Sequence, residues 1–320
     1  MNTLERIRFL ADLDRYLVML RRLGPEPSVG APSGESNGNM PRIFFVDSVS
    51  GNATNSGLSP DRASSTIDRA VGLCTANRGD IIVCLPGHVE TVTALNGLDL
   101  DIAGITVIGV GNGADRATVN LTTAVTASMR INAAGVRMEN ILITGGFDNI
   151  TRVVDINGVA DVYLKDIEYR DVTGQCATFL HARDGSDRLT IEGLRYIGAA
   201  AAGTVQALLF DGCDDLNVHD VDIYGNFSTG VVDFVTTLSA RVHFHRMKAW
   251  TENAADVIFA ATIDTNTGFI GPDCEFALQD DGANGLASLA PSTVYYIDPI
   301  YIVNAANEKG LVTNKTASGL

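Results

Sequence analysis

An internal repeat of 26–27 residues constrains this chain more than any other feature. The segments VRMENILI from Val136, VYLKDIEY from Val162, LTIEGLRY from Leu189, LNVHDVDI from Leu216 and VHFHRMKA from Val242 align without gaps, with starts 26, 27, 27 and 26 residues apart. Position one is always apolar, and position three reads Met138, Leu164, Ile191, Val218, Phe244. Position six reads Ile141, Ile167, Leu194, Val221, Met247, and position eight reads Ile143, Tyr169, Tyr196, Ile223, Ala249. Apolar residues two apart mark a strand with one buried face. The change of phase between positions three and six predicts two short strands joined by a bend. A third apolar run precedes each segment, as in RVVDING at 152, ATFLHAR at 177, ALLFDG at 207 and VVDFV at 231.

Three strands per period, with no helical pattern between them, leave one solution. Parallel strands otherwise need helical crossovers. A coil that returns to its own register without them is a β-solenoid, right-handed by the general chirality of parallel connections. The expected fold class is therefore all-β, a right-handed parallel β-helix. GITVIGVG at 104 fits an earlier coil and GFIGPDCEF at 268 a later one. At ~4.8 Å per rung, roughly eight or nine rungs make a rod of about 40 Å. With 32 glycines and only 7% aromatics, the composition suits tight turns around a core of small aliphatic side chains.

The rod is expected to span 42–276, with a capping helix at 64–76 whose Ile67, Ala70, Val71 and Cys74 face the core, and a C-terminal cap or interaction segment at 277–320. Residues 1–24 form an arm whose 3–23 stretch repeats apolar residues at helical spacing: Leu4, Ile7, Leu10, Leu17 and Leu20. The linker 25–41 is rich in Pro, Gly and Ser. The apolar stripe of the arm is expected either to fold back onto the rod or, the preferred reading, to meet copies of itself or another protein.

The net charge of −15 excludes a general nucleic-acid binder and argues against docking on anionic membranes. No targeting signal or membrane span is apparent, and no cofactor or metal motif is present. The five cysteines, Cys74, Cys84, Cys176, Cys213 and Cys274, match no zinc spacing and read as buried thiols of a protein assembled in a reducing cytoplasm. Whether Cys74 and Cys84 pair is open.

The stretch FFVDSVSGNATNSGLSP, followed by STIDRAVGLCTANRGDIIVCLPGHVET, resembles the opening of pectate-lyase-like β-helix proteins. The matching residues include Val46, Asp47, Gly51, Gly57, Ser59, Pro60, Thr66, Ile67, Ala70, Gly79, Asp80, Ile82, Val83, Pro86, Gly87 and Glu90. The resemblance implies a first strand, a Gly-rich loop, a capping helix and a first rung; it implies no particular chemistry. A tethered small β-helix ending in a segment like YYIDPIYIVNAANEKGLV is also similar to bacteriophage structural proteins. That likeness implies a homotrimer on the virion surface, as a capsid decoration protein bound to the major capsid protein or another virion protein. A tail fibre or spike that binds or cleaves surface polysaccharide, and a free polysaccharide lyase or hydrolase, are the alternatives.

Several residues are candidates for chemistry. Asp214 and Asp215 echo the acid pair of polygalacturonase-like enzymes, but a turn Asp more often binds backbone amides. Asp155, Asp184, Asp211, Asp220, Asp222 and Asp233 are too scattered in sequence to define a calcium site. His88, His181 and Trp250 have no evident partner. The repeat register gathers Glu192, His219, Asp220, His245 and Arg246 into one surface patch, suited to acid–base chemistry, to a metal site or to a ladder of alternating charges. Sign alternation along Glu168, Arg195, Asp222 and Lys248 favours the ladder.

Overall fold

The computed structural model describes residues 40–122, 124–171, 176–199, 204–252, 257–261 and 266–278, plus short C-terminal strands as far as Val312. The arm, with Leu4, Ile7, Leu10, Leu17 and Leu20, and the linker up to residue 39 lie outside the described residues.

The chain coils as a parallel β-helix with three strands per turn. The first sheet stacks Ile43–Val46, Ile81–Cys84, Thr106–Gly109, Arg137–Glu139, Tyr163–Lys165 and Thr190–Glu192, then continues into Asn217–Gly225 and Val242–Thr251. The second sheet contains Thr118–Leu121, Leu142–Gly145, Glu168–Asp171 and Arg195–Ile197, then the distal halves of those same two long strands. The third sheet has eight described strands, from Leu98–Leu100 to Ala287–Ser288. Eight stacked strands bound seven intervals, so the rod makes about seven full turns in this sheet, in keeping with the eight or nine rungs expected from the repeat. Parallel pairing continues past residue 276, because Val294–Tyr296 and Ile300–Val303 join the first two sheets. An antiparallel strand, Lys309–Val312, then covers the last edge.

The repeat alignment is the physical register. Position three forms an unbroken interior column, Phe44–Ile82–Val107–Met138–Leu164–Ile191–Val218–Phe244–Ile270. Like shapes stack on like shapes at the strand spacing, which fills the interior without a second layer of secondary structure. Aromatics concentrate in the later turns. Tyr169 and Tyr196 stack at 5.1 Å between centroids, flanked by Phe179 and Phe227. Phe244 meets Phe210, Phe234 and Phe259.

The phase change is a one-residue bend in the left-handed region. Position five of the repeat is Asn140, Asp166, Gly193, Asp220 and Arg246, with φ of 53°, 51°, 70°, 56° and 48°. Asn, Asp and Gly tolerate this conformation at little penalty, whereas an arginine there is strained by roughly 1 kcal/mol or more. Asn140 also donates through Nδ2 to the carbonyls of Gly109 and Gly111 on the preceding rung.

The N-terminal end is closed by a helix shorter than the sequence suggests, Ile67–Val71, followed by turns. Thr66 caps it, accepting from the Arg69 amide, and Glu90 accepts from the Ile67 amide at 2.7 Å. Fully buried His88 places Nε2 at 3.4 Å from the same Glu90 carboxylate. All five cysteines are free, and Cys74 lies against the Ala70 carbonyl instead of pairing with Cys84.

Replacing Phe244 by Ala should remove about 3–5 kcal/mol of stability, since it empties a ring-sized space shared by three other rings. Urea unfolding would measure the loss, and a drop below about 1 kcal/mol would contradict this packing.

Candidate functional site

The patch read from the sequence exists as one surface. In the first sheet the register runs Glu139–Lys165–Glu192–His219–His245, and Asp220 and Arg246 occupy the adjoining bend. His219 and His245 stack at 4.8 Å with 13° between ring planes, and His243 lies 4.8 Å from His245.

Its charged groups are engaged with one another across rungs. Arg246 Nε and Nη2 each donate at 2.7 Å to the two oxygens of Asp220, and His219 Nδ1 lies 2.7 Å from Asp220 Oδ2. The Arg246 guanidinium holds the Asp220 carboxyl well below the usual carboxylate range, with His219 adding to the effect. Lys165 Nζ is 3.2 Å from Glu192 Oε1, while the Tyr163 hydroxyl donates to Glu192 Oε2. That hydroxyl, then Lys165, keeps Glu192 ionised. Desolvation first, and repulsion by Arg246 second, push the His245 imidazole down to about 4. A proton-transfer pair needs one group poised near neutrality and free to exchange. Here both carboxylates are held as anions by fixed donors and His245 is held neutral. The fork on Asp220 also explains how Arg246 keeps its strained bend.

Most of the other acids are engaged too, across rungs or within one. Asp214 accepts from the Ala240 amide at 2.8 Å, and Asp187 accepts from the Asp214 amide at 2.9 Å. Asp215 takes a two-pronged contact from Arg241, as Asp161 does from Arg188. The column Asp161–Arg188–Asp215–Arg241 is therefore an alternating ladder along one turn. Lys248 pairs with Glu275 at 3.2 Å, and Glu168 turns to Arg116 and Arg170. Asp184 pairs with its neighbour Arg183, and Asp211 accepts from the Thr237 amide. Among the described residues no group of three or more His, Cys, Asp or Glu side chains could hold a metal ion.

A second cluster lies on the outer face of the third sheet, where the sequence offered only isolated residues. The column there runs Arg130–Asp155–His181–Leu209–Asp233. His181 is 7% and Asp233 5% exposed, and among the described residues both His181 ring nitrogens and one Asp233 oxygen lack a hydrogen-bond partner. In the neighbouring column Gln206 donates to Thr178 at 2.9 Å, leaving its own carbonyl oxygen unpartnered. Asp155 is held by Arg183. Desolvation pushes His181 down to about 4 and raises Asp233 above the ordinary carboxylate range. Buried polar groups are normally satisfied; among the described residues His181, Gln206 and Asp233 are exceptions, as are Asn217 Oδ1 and His243 Nε2 beside the first patch. Periodic alignment of the third strand could have found the column, but that strand varies more in length.

Trp250 is half exposed beside Tyr224, with ring centroids 5.9 Å apart.

These features define a parallel β-helix with ion-paired outer columns. No protein-family model matches the sequence, and no curated protein matches it. Among solved structures, the chain is similar to one described as a rhamnogalacturonan lyase. The TM-score is 0.42 and the identity 12%, over 85% of this chain and 89% of that one.

Two measurements check the electrostatics. Arg246→Ala should leave stability nearly unchanged, as expected for an exposed pair, while the Asp220 carboxyl titration moves back up. His181 should titrate near pH 4 by imidazole NMR. Its folded pKa lies below the unfolded value of 6.5, so the unfolded chain takes the proton first. Wild type should therefore lose stability relative to His181→Asn as pH falls from 6.5 to 4. The comparison with the variant is needed because Asp171, raised to about 6 by burial, acts in the opposite direction.

Proposed function

We propose that this chain is a non-enzymatic structural protein of a bacteriophage virion, a homotrimeric capsid decoration protein standing on the shell. One observation carries the non-enzymatic part. In the patch with the best residue types for acid–base work, both carboxylates, Glu192 and Asp220, are held from a neighbouring rung, and Asp220 is gripped through both oxygens. Such columns set register and give the rod a hydrated, charged exterior. The virion setting rests on the likeness in overall organisation, a short rod joined by a Pro/Gly/Ser linker to a separate arm. The body is strongly acidic, because residues 1–24 carry +2 and the remainder −17 of the total −15. It suits projection into solvent, with the N-terminal end as the base.

A second reading, a tail fibre or spike that binds or cleaves polysaccharide, is favoured by the unpartnered His181, Gln206 and Asp233 on the third sheet.

Purified particles decide between them. The protein should co-sediment with capsids, and imaging should place it at three-fold positions on the shell; removal of residues 1–41 should abolish the association. Polysaccharide turnover lost in Glu192→Ala, His219→Ala or Asp220→Ala would overturn the structural assignment. Turnover insensitive to those changes but lost in His181→Ala or Asp233→Asn would establish the second reading.

A further inference from the structure

The exterior of the first rungs breaks the pattern of the rest. The outward column that later reads Glu139, Lys165, Glu192 and His219 begins as Phe45–Val83–Ile108. Beside it Ile43 lies on Ile81. With Ala63, Leu85 and Val110 these residues form a second apolar cluster, separate from the main core. They point away from the interior, because Phe44, Val46, Ile82, Cys84 and Val107 alternate with them and belong to the main core. Yet all eight are only 1–7% exposed. A single sheet cannot bury its own outer face. Among the described residues, those against these strands are their rung neighbours, the loop 47–64 that bonds along the outer edge of the first strand, the 60–62 turn and the cap helix, and the buried residues of that helix belong to the main core.

We propose that the arm, residues 3–23, docks as an amphipathic helix on this face of its own chain. Its Leu4, Ile7, Leu10, Leu17 and Leu20 would pack against Phe45, Val83 and Ile108. The chain itself points to this occupant. The linker 24–41 runs directly into Ile43, a member of the cluster, so the arm is tethered at the face. A flexible tether of eighteen residues would reach about 23–25 Å on average. The apolar patch spans only four stacked segments, roughly 14 Å from first to last. A 21-residue helix is about 31 Å long and covers that span in any orientation. Short tethers of this kind give millimolar effective concentrations, well above those of a second chain at ordinary dilution. Charge agrees, since the arm is net positive and the body strongly negative. Of the two fates open to the stripe on sequence alone, this is the fold-back, and it stands whether or not the rod decorates a capsid. Capsid attachment would then use the polar side of the arm or the base of the rod.

A photo-crosslinker tests it in the full-length protein. With p-benzoylphenylalanine at Leu10, irradiation should give a product migrating as monomer, with crosslinks mapping to peptides containing 81–85 or 106–110. A covalent dimer or trimer, from a swapped arm or a second copy, would overturn the proposal, as would crosslinks to any other face. An independent variant, Leu10→Asp/Leu17→Asp, should lower Tm by roughly 5–10 °C and raise bis-ANS fluorescence about two-fold or more, the response expected when an apolar face is uncovered. Unchanged Tm and dye binding would equally overturn it. Failure of either experiment leaves capsid co-sedimentation unaffected, so the two readings fail separately.

Discussion

Everything in this molecule depends on each turn of chain returning to the register of the turn before. Backbone amides of one rung bond to carbonyls of the next, so a slip of one residue would exchange inside for outside along a whole strand. The bend residue makes the return possible. Without a left-handed position between the two strands, positions three and six could not both face inward. Asn140, Asp166, Gly193 and Asp220 accept this geometry readily, and Arg246 accepts it because Asp220 anchors its guanidinium. The same column is thus both a backbone device and the centre of the charged patch.

This double role settles how the exterior is read. Acids and bases at turns and bends might suggest an active site when viewed singly. In the stacked geometry they are cross-rung ties. Asp214 and Asp187 secure amides one turn on, while Asp161, Arg188, Asp215 and Arg241 alternate in sign. Each exposed tie contributes little alone, but together they penalise every wrong register. The outer face of the third sheet adds His181, Gln206 and Asp233, which are buried with at least one polar atom left unpartnered among the described residues.

Much of the fold was legible in the sequence because a solenoid repeats the same physical environment every 26–27 residues. The five aligned segments show the interior column and the bend directly. The cap was harder to read. The apolar spacing at 64–76 suggested a longer helix, but turns take over after Val71, where Cys74 and the following residues satisfy their backbone locally. The patch of Glu192, His219, Asp220, His245 and Arg246 was legible as a place, since register alone brings it together. That its ions cancel in pairs depends on side-chain reach, which spacing does not encode. The cluster around His181 stayed hidden for a related reason. The third strand ranges from two residues at Ala287–Ser288 to eight at Thr204–Asp211, so its columns do not align by eye.

The one-residue bend has an evolutionary corollary. Because every coil begins and ends in the same backbone state, a whole coil can be duplicated or deleted between neighbours without rewriting either flank. An insertion of a few residues within a strand has no such freedom. Length in this architecture is therefore quantised, changing in steps of one rung. The height at which the rod presents its tip becomes a heritable quantity, tuned independently of the sequence that closes its base.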